Sequence, residues 1–141
     1  MKKILVLSAS FYKRYEIMML EGVKASLDRA GREYELISLP GCYEIPAALS
    51  MAIKNGGYAG FITLGCVIRG QTTHYDYVCG ESSRGINQLA MDHNVAVGFG
   101  IITAETDEQA FARADIKEKN VGGRAAEACL AMIDLKEKMG V

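Results

Sequence analysis

The segment "GCVIRGQTTHYDYV", residues 65–78, carries more polar side chains than a simple strand-to-helix turn needs. It follows the apolar stretch "FITLG" and leads into a pattern of helical periodicity. Gly70 permits a turn whose amides point inward, and Gln71 and Thr72 add N–H groups at the positive end of the helix. This chemistry predicts a cradle for an anion, and phosphate is the anion we expect there.

A simpler interpretation of the same segment stays open. Thr72 or Thr73 could serve only as a helix cap, because Ser and Thr are common in that role, and Arg69 could be a surface charge. Neither GxxxxGK[ST] nor GxGxxG occurs in the chain, so nucleotide binding by either standard loop is unsupported.

His74 places an acid–base group directly after the predicted cradle. Imidazole is the side chain that most often transfers protons in enzymes. A single histidine can also be purely structural, but its position beside a phosphate cradle favours a role in proton transfer.

Two other loops carry groups that suit a planar polar substrate. Phe11 follows an apolar strand pattern, where its ring could stack on a ligand or could belong to the core. Glu44 precedes a helical pattern, where its carboxylate could accept hydrogen bonds from substrate hydroxyls or could simply cap the helix.

These groups must be positioned by alternating strands and helices. The patterns predict strands at residues 2–9, 33–39, 59–65 and 95–102, and helices at residues 15–31, 44–57, 75–94, 106–114 and 122–140. In the first helix Ile17, Leu20, Val23 and Leu27 form the predicted buried face, and Gly31 is the predicted stop. Strands separated by helices favour an α/β fold, a three-layer α/β/α sandwich around a four-stranded parallel sheet. Ligands of such sheets bind beyond the carboxyl ends of the strands, where all the groups above are expected.

Composition narrows the class of protein. A chain of 141 residues that is 50% hydrophobic suits one domain, which we expect to span residues 1–141. No apolar run approaches membrane-spanning length, and a net charge of -1 with scattered basic residues gives no footprint for nucleic acid. Four cysteines without a CxxC pair, and only two histidines, make zinc and disulfides poor interpretations. We therefore expect a cytoplasmic protein with reduced thiols and no metal.

Five segments together resemble one family. "SASFY", "LPGCYEIPAAL", "TLGCVIRGQTTHYDYV", "VGFGIIT" and "DEQAFARA" are similar, in order and spacing, to the lumazine synthases of riboflavin biosynthesis, over almost the whole chain. The resemblance implies a flavodoxin-like fold and condensation of 5-amino-6-(D-ribitylamino)uracil with 3,4-dihydroxy-2-butanone 4-phosphate to give 6,7-dimethyl-8-ribityllumazine. It implies two small-molecule substrates, no cofactor and no metal.

The resemblance also implies roles for particular residues. Phe11 matches the aromatic that stacks on the pyrimidine, and His74 matches the proton-transfer residue. The ribityl chain and the pyrimidine edge correspond to two short segments, Cys42, Tyr43 and Glu44, and then Cys66, Val67 and Ile68. The phosphate-binding residues correspond to Gln71, Thr72 and Arg113, and Phe99 matches an aromatic delivered from a neighbouring subunit.

The chain departs from the family pattern at three places. Tyr12 stands where asparagine is common, and Val121 stands where a lysine is common. Arg124 could supply a second cation near the phosphate in place of that lysine, or it could be a solvated surface arginine. Many members carry an extension before the first strand that contributes to subunit contacts, whereas here the strand pattern begins at Lys2. We therefore expect a homopentamer rather than a closed shell. Two alternatives remain: a non-catalytic binder of flavin-like or lumazine-like rings, and a shell-forming homologue.

Overall fold

Four parallel strands form the central sheet, in the order β2-β1-β3-β4. A computed structural model describes all residues from 1 to 141. The strands are β1 (Lys3–Ala9), β2 (Tyr34–Leu39), β3 (Tyr58–Ile68) and β4 (Val97–Ala104). The predicted parallel sheet is confirmed, but β3 continues to Ile68, beyond the predicted end at Gly65. Residues 66–68 therefore belong to the strand and not to the loop that follows it.

Five α-helices cover the two faces of the sheet. They are α1 (Lys13–Arg29), α2 (Ile45–Asn55), α3 (His74–His93), α4 (Asp107–Ala114) and α5 (Val121–Met139). The helices α1, α4 and α5 pack together on one face, and α2 packs with α3 on the other. The predicted three-layer α/β/α sandwich is thus confirmed. None of these helices is long and apolar enough to cross a membrane.

The core is divided in two by the sheet. Along β1, Ile4 and Val6 belong to a cluster of 18 buried residues beneath α1, α4 and α5. The intervening Leu5 and Leu7 belong to a cluster of 10 buried residues beneath α2 and α3. This alternation follows from the two-residue period of a strand, which sends successive side chains to opposite faces.

The buried face of α1 differs from the predicted one. Ile17 is 51% exposed, whereas Tyr15, Glu16 and Met19 are buried together with Val23. The prediction for Ile17 was therefore wrong, because a charged residue such as Glu16 was not expected on the inner face.

Glu16 is buried because three groups satisfy its carboxylate. It is 1% exposed and accepts hydrogen bonds from Ser8 Oγ at 2.7 Å and Ser38 Oγ at 3.1 Å. The Nζ of Lys13 lies 2.7 Å from its other oxygen. Burial alone raises the pKa of Glu16, but the hydrogen bonds from Lys13, Ser8 and Ser38 outweigh it, so the net pKa is lowered. The carboxylate thereby joins the start of α1 to the ends of β1 and β2.

Close contact between α1 and α5 depends on glycine. A Cβ at Gly122 would overlap the Met19 carbonyl of α1. The amide of the neighbouring Gly123 donates to Asn120 Oδ1 at 3.1 Å, which caps α5. The first turn of α5 therefore lies directly against Met19, near the middle of α1. At the other end of α1, Gly31 has a φ of 65° and ends the helix as predicted.

Candidate active site

One cavity of about 590 Å³ opens at the carboxyl ends of β1, β2 and β3. Eight of the twelve predicted site residues line it: Phe11, Tyr43, Glu44, Cys66, Val67, Ile68, Thr72 and His74. Its other lining residues are Tyr12, Pro40, Gly41, Gly70, Tyr75 and Val78. The predicted sheet edge is therefore where most of the candidate groups meet.

Phe11 stands at the mouth of the cavity. Its side chain is 74% exposed, so the interpretation of Phe11 as a core residue is wrong. The ring of Tyr12 meets it edge-on, with the centroids 5.0 Å apart. One face of the Phe11 ring is thus accessible to a planar ligand, while its orientation is held by a neighbour.

Tyr12 and Tyr15 continue this aromatic cluster into the protein. Their ring centroids are 6.3 Å apart, and the Tyr15 hydroxyl donates to the Asp107 carboxylate at the start of α4. Burial raises the pKa of Tyr12, and burial together with the Asp107 hydrogen bond raises the pKa of Tyr15 to about 12. Both phenols stay neutral near neutral pH.

The segment after β2 brings a carboxylate to the cavity. Cys42–Glu44 form a single 3₁₀ turn before α2, and Glu44 makes no side-chain capping hydrogen bond. Glu44 thus occupies the N-cap position of α2, but its carboxylate is not used to cap the helix. Its carboxylate lies beside Gly41, where a Cβ would come within 3.2 Å of Oε1.

Cys42 does not line the cavity. Its buried thiol packs against Gly65 of β3, where a Cβ would overlap Sγ. Burial raises the pKa values of Cys42 and Cys66 to about 12 each, so neither thiol is a ready nucleophile. All four cysteines are free, and no three His, Cys, Asp or Glu side chains form a group that could hold a metal ion.

The end of β3 offers an open backbone edge. Pairing with β1 ends at Leu64, which lies opposite Ser8, whereas pairing with β4 continues to Ile68, opposite Ala104. The last residues of β3 therefore have a strand partner on one side only. On the other side the backbone of Cys66 hydrogen-bonds the Cys42 thiol, and the remaining groups have no strand partner and can hydrogen-bond a planar polar ligand.

The loop between β3 and α3 carries unpaired amides. The backbone N–H groups of residues 70–73 donate to no backbone carbonyl. Thr73 occupies the N-cap position of α3 without a side-chain capping bond, and Thr72 Oγ1 accepts from the His74 amide at 3.3 Å. The loop thus gathers free donors at the positive end of a helix of 20 residues, which suits an anion.

Three predicted residues besides Cys42 lie outside the cavity. Gln71 is exposed on the loop, and Phe99 on β4 lines a second cavity of about 440 Å³ with residues of α3. Arg113, in the last turn of α4, donates to the Gln109 carbonyl at 3.1 Å. Val121 packs against the larger core cluster, and the exposed Arg124 does not line the site cavity.

Several residues that line the cavity were not predicted from the sequence to belong to the site. The sequence marks Tyr12 only as a departure from the family pattern and gives no site role to Tyr75 or Val78, yet all three line the cavity. Helical spacing was the available signal for Val78, because a residue four positions after His74 lies on the same helix face.

The fold and the make-up of this cavity are those of an α/β enzyme that acts on small polar molecules at the carboxyl ends of its strands. A family model described as 6,7-dimethyl-8-ribityllumazine synthase matches residues 1–137. The chain belongs to the 6,7-dimethyl-8-ribityllumazine synthase family.

Curated relatives agree with this membership. A 6,7-dimethyl-8-ribityllumazine synthase of Sphingopyxis alaskensis is 45% identical over 100% of this chain and 99% of its own length. Another, from Novosphingobium aromaticivorans, is 47% identical over 98% of this chain and 99% of its own length. A third, 6,7-dimethyl-8-ribityllumazine synthase 1 of Rhizobium meliloti, is 48% identical over 97% of this chain and 93% of its own.

Proposed function

We propose that the cavity at the strand ends condenses 5-amino-6-(D-ribitylamino)uracil with 3,4-dihydroxy-2-butanone 4-phosphate in riboflavin biosynthesis. The products are 6,7-dimethyl-8-ribityllumazine, inorganic phosphate and water. One observation carries the proposal: Phe11, Glu44 and His74 meet around a single cavity beside the unpaired amides of residues 70–73. A ring, a sugar-like chain and a phosphate each find a chemically suitable neighbour there.

The pyrimidine substrate binds along the open edge of β3. Its ring stacks on the accessible face of Phe11, and its polar edge meets the backbone of Cys66, Val67 and Ile68. The ribityl hydroxyls extend toward the segment Cys42–Glu44, where the Glu44 carboxylate accepts their hydrogen bonds.

The phosphorylated substrate places its phosphate on the loop after β3. The amides around Gln71, the Thr72 hydroxyl and the start of α3 supply donors without needing a cation. Arg113 adds a positive charge. Because Arg113 does not line the cavity of its own chain, we propose that it reaches the cavity of a neighbouring copy.

His74 moves the protons of the reaction. The substrate amine attacks the ketone to give an imine, phosphate is eliminated and the second ring closes. His74 lies in the cavity wall next to the phosphate loop, so its imidazole can exchange protons with the reacting groups. Much of the rate enhancement comes from holding two reactive partners in orientation, and the amides stabilise the departing phosphate.

We also propose that the protein is a homo-oligomer, a pentamer, whose sites are shared between adjacent copies. Phe99 is a large apolar side chain that is exposed and does not line the site cavity of its own chain. This position supports its delivery to the site of a neighbouring copy. The four free thiols support a cytoplasmic location, where they stay reduced.

The test is a two-substrate assay. The purified protein, mixed with both substrates, is expected to generate lumazine absorbance and to release one phosphate for each lumazine formed. Tight binding of the product without turnover would show a binder instead of an enzyme.

A further inference from the structure

Arg69 connects three parts of the site wall. Its Nε lies 2.6 Å from Glu105 Oε2, just after β4, and its Nη2 lies 3.1 Å from Asp76 Oδ1, in the first turn of α3. The guanidinium carbon stands 4.3 Å from the centroid of the Tyr75 ring. The Arg69 amide donates to the Ala104 carbonyl at 2.9 Å.

These contacts enclose the phosphate loop. Residues 70–73 connect Arg69, whose amide still pairs with β4, to the start of α3. Asp76, in the first turn of α3, is held there by its ion pair with Arg69. Because the amides of residues 70–73 donate to no backbone carbonyl, their direction is set by the two ends of the loop. A planar guanidinium that pairs two carboxylates and stacks on a ring fixes both ends in one geometry.

The charge of Arg69 is directed away from the cavity. Ile68 and Gly70 line the cavity on either side of it, but Arg69 does not. Its Nε pairs with Glu105 and its Nη2 with Asp76, so the three side chains together carry one excess negative charge. A phosphate would gain no attraction from this cluster as a whole.

We propose that Arg69 is a positioning residue: it holds the amides of residues 70–73 and the Tyr75 ring in place for the phosphate of the substrate without binding that phosphate itself. This inference rests on the proposed function, because it assigns the loop to the phosphorylated substrate.

Two conservative variants give opposite results for the two roles of Arg69. Asp76→Asn and Glu105→Gln each remove one ion pair and leave the arginine in place. If Arg69 is a positioning residue, each variant loosens the loop and raises the KM for the butanone phosphate. If Arg69 binds phosphate, each variant frees its charge and lowers that KM.

The expected rise is about 2- to 5-fold for each variant, the usual range for an exposed ion pair. The KM for the uracil substrate should stay within about 2-fold, because Phe11 and the β3 edge are untouched. Arg69→Lys should also raise the butanone phosphate KM, since a lysine keeps the charge but loses the planar fork and the stacking. Inhibition by inorganic phosphate should weaken in parallel in all three variants.

Asp28→Asn is the matched control. Asp28 pairs with Lys24 at 2.6 Å on α1 and is 58% exposed, close to the 56% of Asp76. It lies outside the cavity lining, so its kinetics should equal those of the wild type. An unchanged or lowered butanone phosphate KM in Asp76→Asn and Glu105→Gln would overturn the inference. If the wild type makes no lumazine, it is the proposed function that fails instead.

Discussion

His74 takes its position from a residue two places before it, because the hydroxyl of Thr72 accepts the His74 amide. His74 is the first residue of α3, and it lies in the wall of the cavity. We expect His74→Ala to lower kcat by about 10- to 100-fold, at or below the low end for positioned proton transfer, because orientation of the two substrates remains. Affinity for the uracil substrate should stay close to that of the wild type. Rates unchanged across the whole pH range would remove His74 from the reaction.

Phe11 is exposed at the cavity mouth, so a change at this position should affect substrate binding without affecting the stability of the fold. Phe11→Ala should weaken the affinity for the uracil substrate by about 1 to 2 kcal/mol, through lost stacking and burial. The melting temperature should change little, because no core cavity is created. Calorimetry measures both quantities. Ile17→Ala, at an exposed apolar residue outside the cavity, is the control and should bind normally.

At the scale of elements, Glu16 joins α1 to the ends of β1 and β2 through buried hydrogen bonds. Because its folded-state pKa is lowered, the carboxylate stabilises the fold above its unfolded pKa, and this contribution is lost as the pH falls through the folded pKa. Glu16→Gln should reduce the free energy of unfolding by about 1 to 3 kcal/mol near neutral pH. The difference from wild type should shrink under acidic conditions.

Denaturant unfolding at fixed protein concentration measures this difference. Glu21→Gln, the same change at an exposed position of α1, is the control and should have little effect. A difference between Glu16→Gln and wild type that does not depend on pH would mean that the charge of Glu16 is not what stabilises the fold.

The contact between α1 and α5 gives a second prediction for an element. Gly122→Ala places a methyl group on the Met19 carbonyl, a backbone atom that cannot move aside cheaply. We expect a loss of about 1 to 3 kcal/mol in the free energy of unfolding. Gly80→Ala in α3 meets open space and should raise stability by up to about 1 kcal/mol, through helix propensity. Equal effects of the two changes would contradict the packing described for Gly122.

The order of the elements was predictable from the sequence because apolar periodicity changes between strand and helix along the chain. The inner face of α1 was not, because the burial of Glu16 depends on Ser8 and Ser38 from two other strands. The same limit applies to the site. Phe11 and His74 were found from loop position, whereas the place of Tyr12 and Tyr75 in the cavity follows from contacts between segments distant in sequence. Residue type alone could not assign Arg69, whose partners come from the first turn of α3 and from the segment after β4.

For the whole molecule, the proposed sharing of sites can be tested by mixing two variants. After dissociation and reassembly of a one-to-one mixture of His74→Ala and Phe99→Ala copies, about a quarter of the sites should be intact. About half of the sites keep His74, and a random neighbour supplies Phe99 to about half of those. Activity should exceed the mean of the two parents.

The matched control mixes His74→Ala with Phe11→Ala. Both residues line the cavity of the same chain, so this mixture should give only the mean of its parents. A monomer in sedimentation, or no recovery in the first mixture when mass spectrometry shows mixed oligomers, would contradict a shared site.

The tyrosines of the cavity give the molecule a built-in optical probe. The chain has no tryptophan, so its ultraviolet fluorescence comes from seven tyrosines alone. Three of them, Tyr12, Tyr43 and Tyr75, line the cavity. A bound lumazine or flavin ring absorbs in the region where tyrosine emits, and it would therefore quench these three by energy transfer at short range. Titration of the unlabelled protein with such a ring should thus report occupancy directly as a loss of tyrosine emission.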